Sequence, residues 1–483
     1  MLNVVNSKIL YPTKGCLKFI LHKTRNIYYL RRRSNENFMK TVIKGATIVN
    51  EGEQYCGTVV VENDKIIRVL RHDKNEETDI EADSFIEANG MYLIPGVIDD
   101  HVHFREPGLT EKATIYSESR AAAAGGVTSF MDMPNTKPQT TTMEALEEKF
   151  AIAEKESAIN YSFFFGATND NSNLFGKLNP GEVCGIKLFM GASTGNMLVD
   201  DRNKLDSIFA GTTLPIAVHC EDGNIIAGNT ERIKREAGDS PGVEYHPIIR
   251  NSEACYKSTK SAIELAKKHG SRLHIMHIST KEEIELLKNI DDKRITAEAT
   301  PAHLYFCDKD YKRLGTKIKC NPAIKTAADR EALRQAIKCG EIDLIGTDHA
   351  PHRIEDKKGG ALTAASGIPT IQFSLLAMLQ MHDEGVFTIE EIVEKMCHAP
   401  SRIFDIDKRG YIKEGYYADI VLLKPATPHK IEEKDIISKC GWSPFEGETF
   451  GWEVKQTWVN GNCVYKDGRI AEEAQGRKLT FNR

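Results

Sequence analysis

A chain of 483 residues, 41% of them apolar, exceeds one ordinary domain and can bury a large core, which suits one large barrel with a smaller companion. Its formal net charge of -5 is mild for this length, and no basic stripe interleaved with aromatics runs through it, so composition points away from nucleic acid and toward a small-molecule partner. No apolar run reaches bilayer length, and the eleven cysteines are scattered without a Cys-x-x-Cys pair, so a soluble, cytoplasmic protein with reduced packing cysteines is expected and no membrane partner.

The first 38 residues stand apart. Lys8, Lys14, Lys18, Lys23, Arg25, Arg31, Arg32 and Arg33 face a single acid, Glu36. Residues 1–38 are therefore expected to be an upstream extension with no part in the fold, Met39 opening the folded chain; a basic, acid-poor leader also suits an organelle presequence. Residues 39–94 predict short strands at 41–49 and 58–69, the second with an Asn63-Asp64 turn. Residues 405–483 predict matching strands at 418–423 and 454–465, with a hairpin at Asn460-Gly461. Neither end has enough strands to cover both faces, so the two are expected to pack together as one β-sandwich.

Between them, over 95–404, apolar strand runs at 97–103, 127–133, 160–166, 183–190, 214–219, 272–278, 294–299 and 342–347 alternate with helix-period stretches, among them 111–124, 142–157, 252–269, 280–289 and 327–338. This is the pattern of a parallel sheet with crossover helices, and eight such strands predict an α/β fold, a closed (β/α)8 TIM-type barrel. Chemistry in such barrels sits at the C-terminal ends of the strands, so unusual polar residues are expected where each apolar run stops.

They are found there. The first run ends in His101-Val102-His103, two imidazoles that the two-residue period of a strand turns to one side, where they can share a metal. The fourth carries Lys187, the fifth ends in His219, the sixth in His277 and the eighth in Asp348, with His349 following it. Any one of these residues alone reads as an ordinary packing or surface group. Five strand ends supplying four His, a Lys and an Asp read as a nitrogen-and-oxygen metal site, binuclear by ligand count. An ammonium cannot bind a cation. Desolvated near metal charge, however, the Lys187 amine deprotonates readily and can take up carbon dioxide as a carbamate, whose two oxygens can bridge two metals.

The motifs at 95–108 (Pro-Gly-x-Ile-Asp-x-His-x-His-x-Arg-Glu-Pro-Gly), 122–128 (Ala-Ala-Ala-Gly-Gly-Val-Thr), 133–136 (Met-Pro-Asn-Thr), 277–280 (His-Ile-Ser-Thr) and 346–352 (Gly-Thr-Asp-His-Ala-Pro-His) closely resemble the dihydroorotase family of the amidohydrolase superfamily. The match runs from about residue 40 to about residue 470 and includes Lys413-Glu414-Gly415, Ala418-Asp419 and Ser443-Pro444-Phe445 of the terminal β-structure. The resemblance implies two zinc ions, one held by His101, His103, Lys187 and Asp348, the other by Lys187, His219 and His277, with Lys187 carboxylated. It places Arg105, Asn135 and His352 at substrate-carboxylate and orienting positions, Asn321 against the substrate ring, and Ser366-Gly367 along bound substrate. Lys187 and the residues after it, through Asn196, resemble the carboxylated-lysine branch rather than the branch that bridges its metals with Asp. Two positions depart from the common pattern. Ala302 stands where many relatives have a first His, with His303 retained in an open role, and Lys325 stands where Arg is common.

The implied reaction is the reversible closure of N-carbamoyl-L-aspartate to L-dihydroorotate with loss of water, a step of pyrimidine synthesis. Metal-activated hydroxide would attack the ring amide carbonyl, and Asp348, acting first as base and then as acid, would pass its proton to the leaving nitrogen. Three alternatives are weighed. A hydantoinase or dihydropyrimidinase shares the metals and the lysine but needs no Arg for a ring carboxylate; an allantoinase typically differs at the Arg105 position; a non-catalytic scaffold would have lost ligands, and all six are present here. A homo-oligomer, dimer or tetramer, is expected. The stretch 353–366, with Lys357-Lys358-Gly359-Gly360, suits either a mobile lid over the barrel mouth or a solvated loop without a role.

Overall fold

The structure is a computed structural model that describes residues 39–72, 80–191, 197–288 and 290–483. The 1–38 extension and residues 192–196 after Lys187 lie outside that set.

An antiparallel meander opens the described chain: β1 (Lys40–Asn50), β2 (Glu53–Glu62) and β3 (Lys65–Arg71). The predicted Asn63-Asp64 turn joins the last two, with Asn63 at a left-handed φ of 54°. β4 (Ser84–Glu87) and β5 (Tyr92–Pro95) then run parallel to β1. The chain next enters eight parallel strands in sequence order: β6 (Val97–Val102), β7 (Val127–Asp132), β8 (Asn160–Gly166), β9 (Gly185–Met190), β10 (Ile216–Cys220), β11 (Leu273–Ile275), β12 (Ile295–Ala299) and β13 (Leu344–Ile345). β14 (Ile420–Lys430), β15 (Thr449–Val459), β16 (Asn462–Lys466) and β17 (Arg469–Ile470) follow.

β14 pairs antiparallel with β5, Ile420 opposite Pro95 and Leu423 opposite Tyr92, so the two chain ends become one nine-stranded sheet separate from the barrel. Ile43, Ile48, Val59 and Val61 from the front of the chain pack with Ile420, Leu422 and Trp458 from the back in a single apolar cluster. Gly96 is the joint between this sheet and the barrel. A Cβ there would lie 2.1 Å from Thr128 Oγ1, so only glycine lets the backbone pass so close to the neighbouring strand.

Residues of β6, β7, β8, β9 and β10 are buried throughout, which is why these strands read as unbroken apolar runs rather than as alternation. The ring nearly closes where the His103 amide donates to the His349 carbonyl at 2.8 Å, joining the end of β6 to the segment after β13. Two strands are shorter than their apolar runs. β11 ends at Ile275 and β13 at Ile345, because His277 and Asp348 adopt left-handed φ of 40° and 47°, which a ladder cannot continue.

The predicted helices form, those at 252–269 and 327–338 with their predicted starts and the other three starting one to four residues later. Thr114 caps the first, its hydroxyl accepting the Ser117 amide at 3.1 Å, so the helix spans Ile115–Ala124 and 111–114 is loop. The helix Ile371–Asp383 lacks an amphipathic stripe because it is wedged against β15 and the helix Ile115–Ala124 and buries most of its surface. No helix among the described residues is long and apolar enough to cross a membrane.

Candidate active site

Every polar strand end named from the sequence opens into one cavity of about 710 Å³ at the barrel mouth. His101, His103, Lys187, His219, His277 and Asp348 line it, together with Arg105, Asn135, Asn321, His352, Ser366 and Gly367. A larger hollow of about 1240 Å³ lies beside Met143, Phe150, Trp458 and Arg477, but no histidine lines it and it gathers no comparable chemistry.

Three donor atoms converge on the first side. Asp348 Oδ1 lies 3.3 Å from His101 Nε2 and 3.0 Å from His103 Nε2, and the three residues form a group with metal-ligand spacing. On the second side His219 Nδ1 and His277 Nε2 face each other at 2.9 Å. The far nitrogens of three rings are fixed by acceptors. His101 Nδ1 donates to Glu298 Oε1 at 2.9 Å, His103 Nδ1 to Asn135 Oδ1 at 2.8 Å, and His219 Nε2 to Glu221 Oε2 at 3.0 Å. Each ring therefore turns its lone pair inward, the tautomer a metal ligand needs. Burial pushes His103 down to about 4 and His277 well below the ordinary histidine range, so both rings are neutral and free to ligate. Burial works to raise Asp348, but the His101 and His103 rings outweigh it and hold the carboxyl below its usual range, hence ionised.

Lys187 sits between the two sides, 1% exposed. Its Nζ rests 2.6 Å from Met276 Sδ and 5.0 Å from the Phe189 ring centroid, and no carboxylate among the described residues forms an ion pair with it. Burial lowers its amine to about 8, so a substantial neutral fraction exists near physiological pH. Taken together, inward lone pairs, an ionised carboxylate and a desolvated amine fit a divalent metal pair.

Arg105 reaches the cavity by a route the strand period does not give. β6 stops at Val102, and Arg105 takes a left-handed φ of 69° that swings it over the mouth. Its Nε donates to the Pro351 carbonyl at 3.0 Å and its Nη2 lies 3.2 Å from His352 Nε2. Glu106 is not its partner: that carboxylate accepts the Ile115 amide at 2.8 Å. The guanidinium is thus buried without a direct ion pair among the described residues; burial lowers it to about 10, and the charges of Asp348 and Asp132 act to keep it protonated.

Asn321 Oδ1 is buried without a hydrogen-bond partner. His352 Nε2 also lies 3.1 Å from the Ser366 carbonyl, and Gly367 has a φ of 137° with Ala350 O only 2.7 Å from where a Cβ would stand. His303 lies outside the cavity lining, its rings nitrogens engaged by Thr300 Oγ1 at 2.8 Å and the Pro322 carbonyl at 3.1 Å, so it ties two loops together. Lys325 bonds the Ala323 carbonyl at 3.1 Å. The stretch 353–366 is anchored rather than loose, because Lys357 Nζ donates to the carbonyls of Lys319, Ala365 and Gly367 at 2.9, 2.7 and 2.9 Å.

Three residues of the site are absent from the strand-end reading: Glu298, Glu221 and Arg250. Arg250 lines the cavity and pairs with Glu221, which in turn orients His219. The i+2 relation of Glu221 to His219 is the one sequence signal that marks it.

The amidohydrolase family profile matches residues 92–464. A dihydroorotase of Halobacterium salinarum is 34% identical over 409 residues, covering 83% of this chain and 93% of the relative. An allantoinase of Bacillus velezensis is 30% identical over 437 residues, covering 88% and 94%. Among solved structures, the L-hydantoinase of Arthrobacter aurescens superposes with a TM-score of 0.86 at 26% identity, covering 92% of this chain and all of that one.

Proposed function

The chain belongs to the amidohydrolase family, and we propose that it is a dihydroorotase, closing N-carbamoyl-L-aspartate to L-dihydroorotate with loss of water and reopening the ring in reverse, a step of pyrimidine synthesis. The observation that carries this reading is the guanidinium of Arg105, buried in the same cavity as the inward-facing histidines and without a direct ion pair among the described residues. A buried charge is costly unless paired, and a substrate carboxylate supplies the missing charge through two parallel hydrogen bonds. Rings without a carboxylate, such as dihydrouracil, hydantoin and allantoin, leave Arg105 unpaired, which sets the hydantoinase and allantoinase readings second.

In this reading each subunit binds two zinc ions, one at His101, His103, Lys187 and Asp348 and the other at Lys187, His219 and His277. The neutral Lys187 Nζ would add to carbon dioxide, forming an N–C bond and releasing one proton, and the carbamate so formed would supply two oxygens for holding the metals. When bound, the ions supply hydroxide near neutral pH and polarise the amide carbonyl. Asp348, through the carboxylate oxygen not turned toward the histidines, takes the proton of the attacking group and hands it to the ring nitrogen as the C–N bond breaks; in the closing direction the same oxygen takes the ureido proton first. Asn321 Oδ1 accepts a ring N–H, and Asn135 holds the His103 ring in place. His352, Ser366 and Gly367 frame the carboxylate side.

Turnover of L-dihydroorotate, dihydrouracil, hydantoin and allantoin, measured with zinc and bicarbonate present, tests the reading. It requires dihydroorotate to be the preferred ring; preference for any of the other three refutes it.

A further inference from the structure

Asp100 on β6, His274 on β11 and Glu298 on β12 meet in the interior, with relative exposures of 0%, 1% and 0%. They form a second group with metal-ligand spacing, separate from His101, His103 and Asp348. Neither oxygen of Asp100 has a hydrogen-bond partner, and Glu298 Oε2 and His274 Nε2 have none either. Four orphaned polar atoms in one dry spot are costly unless something charged lies among them.

The hydrogen bonds around the triad fix what that something must be. Thr296 Oγ1 donates to the Leu273 carbonyl at 3.3 Å, so toward His274 Nδ1, 2.8 Å away, it acts as the acceptor and Nδ1 carries the proton. His274 Nε2 then faces Asp100 Oδ2, 3.2 Å away, and Glu298 Oε2, 3.6 Å away. Glu298 Oε1 is already committed, accepting from His101 Nδ1 at 2.9 Å and from the His277 amide at 3.1 Å, so the carboxylate is ionised and only Oε2 faces inward. Three atoms of ligand type thus confront one another. A proton on His274 would answer one negative charge and leave the other carboxylate uncompensated, whereas a divalent cation answers both. The spacings suit one: ligands about 2.0–2.2 Å from a tetrahedral ion stand roughly 3.3–3.6 Å apart. Gly346 keeps the space open, since a Cβ there would lie 2.6 Å from Asp100 Oδ1 and 2.9 Å from Glu298 Oε2.

We propose that Asp100, His274 and Glu298 hold a further divalent cation of the zinc type beneath the active site, linked to the outer centre through the two oxygens of Glu298. The inference concerns an additional ion and stands whichever cyclic amide the enzyme prefers. Full-length wild-type protein reconstituted with zinc is crystallised and diffraction is recorded on both sides of the zinc edge, with metal counted by mass spectrometry on the same preparation. The expected result is an anomalous peak between Asp100 Oδ2, His274 Nε2 and Glu298 Oε2, separate from those at the outer histidines, and a count of about three zinc per subunit. Asp100→Asn, which keeps the shape and removes the charge, should lose the inner peak alone and lower the count by about one. A wild-type map with outer peaks and nothing at the triad means that His274 is an imidazolium bridging two carboxylates, and overturns the proposal. So does a fully occupied inner site in Asp100→Asn. Should that variant fail to fold, the wild-type map decides alone.

Discussion

Lys187 Nζ lies 2.6 Å from the thioether of Met276, a contact that offers a buried ammonium almost nothing. Thioether sulfur is a weak acceptor and carries no charge, so it does little to compensate the ammonium, and burial favours the neutral amine. Lys187→Ala is therefore expected to keep the fold but to lose bound metal and ring-opening activity together. A variant with full metal content and full turnover would contradict the carbamate assignment.

The same lysine predicts a pH dependence of assembly. Its folded-state value of about 8 lies below the unbound 10.5, so the neutral amine that attacks carbon dioxide gains population as pH rises through 8. With dissolved carbon dioxide held constant, metal-free protein should regain zinc and activity several-fold faster at about pH 9 than at about pH 7, where roughly a tenth of the amine is neutral. A reactivation rate that is flat across this range would remove the amine from the process.

Glu221 fixes the His219 tautomer from behind, accepting from Nε2 at 3.0 Å, and is itself held ionised by Arg250 and His219 against the pull of burial. Glu221→Gln replaces that acceptor with an amide that can present its NH2 instead, so the ring is free to turn. Zinc affinity, measured by competition with a chelator, should fall about 10–100-fold while the fold is retained. Unchanged affinity would show that the ring is oriented by other contacts.

Beneath the Arg105 turn, Lys149 and Asp132 form an ion pair at 2.5 Å with both side chains fully buried, and Asp132 Oδ1 accepts the Phe104 amide at 2.7 Å. Lys149→Met strands that carboxylate in the interior and is expected to cost about 3–5 kcal/mol in chemical denaturation. Adding Asp132→Asn should return part of the loss, because no uncompensated charge then remains.

Lys357 makes a different prediction. With its amine bonded to three carbonyls, Lys357→Met should loosen 353–367, seen as faster amide exchange there and a raised KM. Exchange unchanged in that segment would show that other contacts fix it.

The barrel and most of the polar residues that line its mouth were legible in the sequence for one reason. Histidine, lysine and aspartate are rare at the ends of apolar runs, so His101, His219, His277 and Asp348 announced both the strand ends and the site. What lay hidden had physical causes. The pairing of Leu93 with Leu422 joins opposite ends of the chain, and no local pattern encodes so distant a register. The left-handed φ of Arg105, His277 and Asp348 cut strands short and aimed side chains in ways a two-residue period cannot express. Glu298 and Glu221 were invisible because a lone acid near a strand end has many ordinary explanations; only the distances to His101 and His219 separate orienting acids from surface ones.

In the dihydroorotase reading Arg105 carries the choice of substrate, and the ratio of kcat/KM for L-dihydroorotate to that for dihydrouracil reads that choice directly, because the two rings differ in the carboxylate alone. Arg105→Gln should lower the ratio about 10–100-fold, the worth of a charge-assisted hydrogen-bond pair, with zinc content unchanged. A ratio that stays the same in the variant, or a wild-type enzyme that already favours dihydrouracil, would contradict the account.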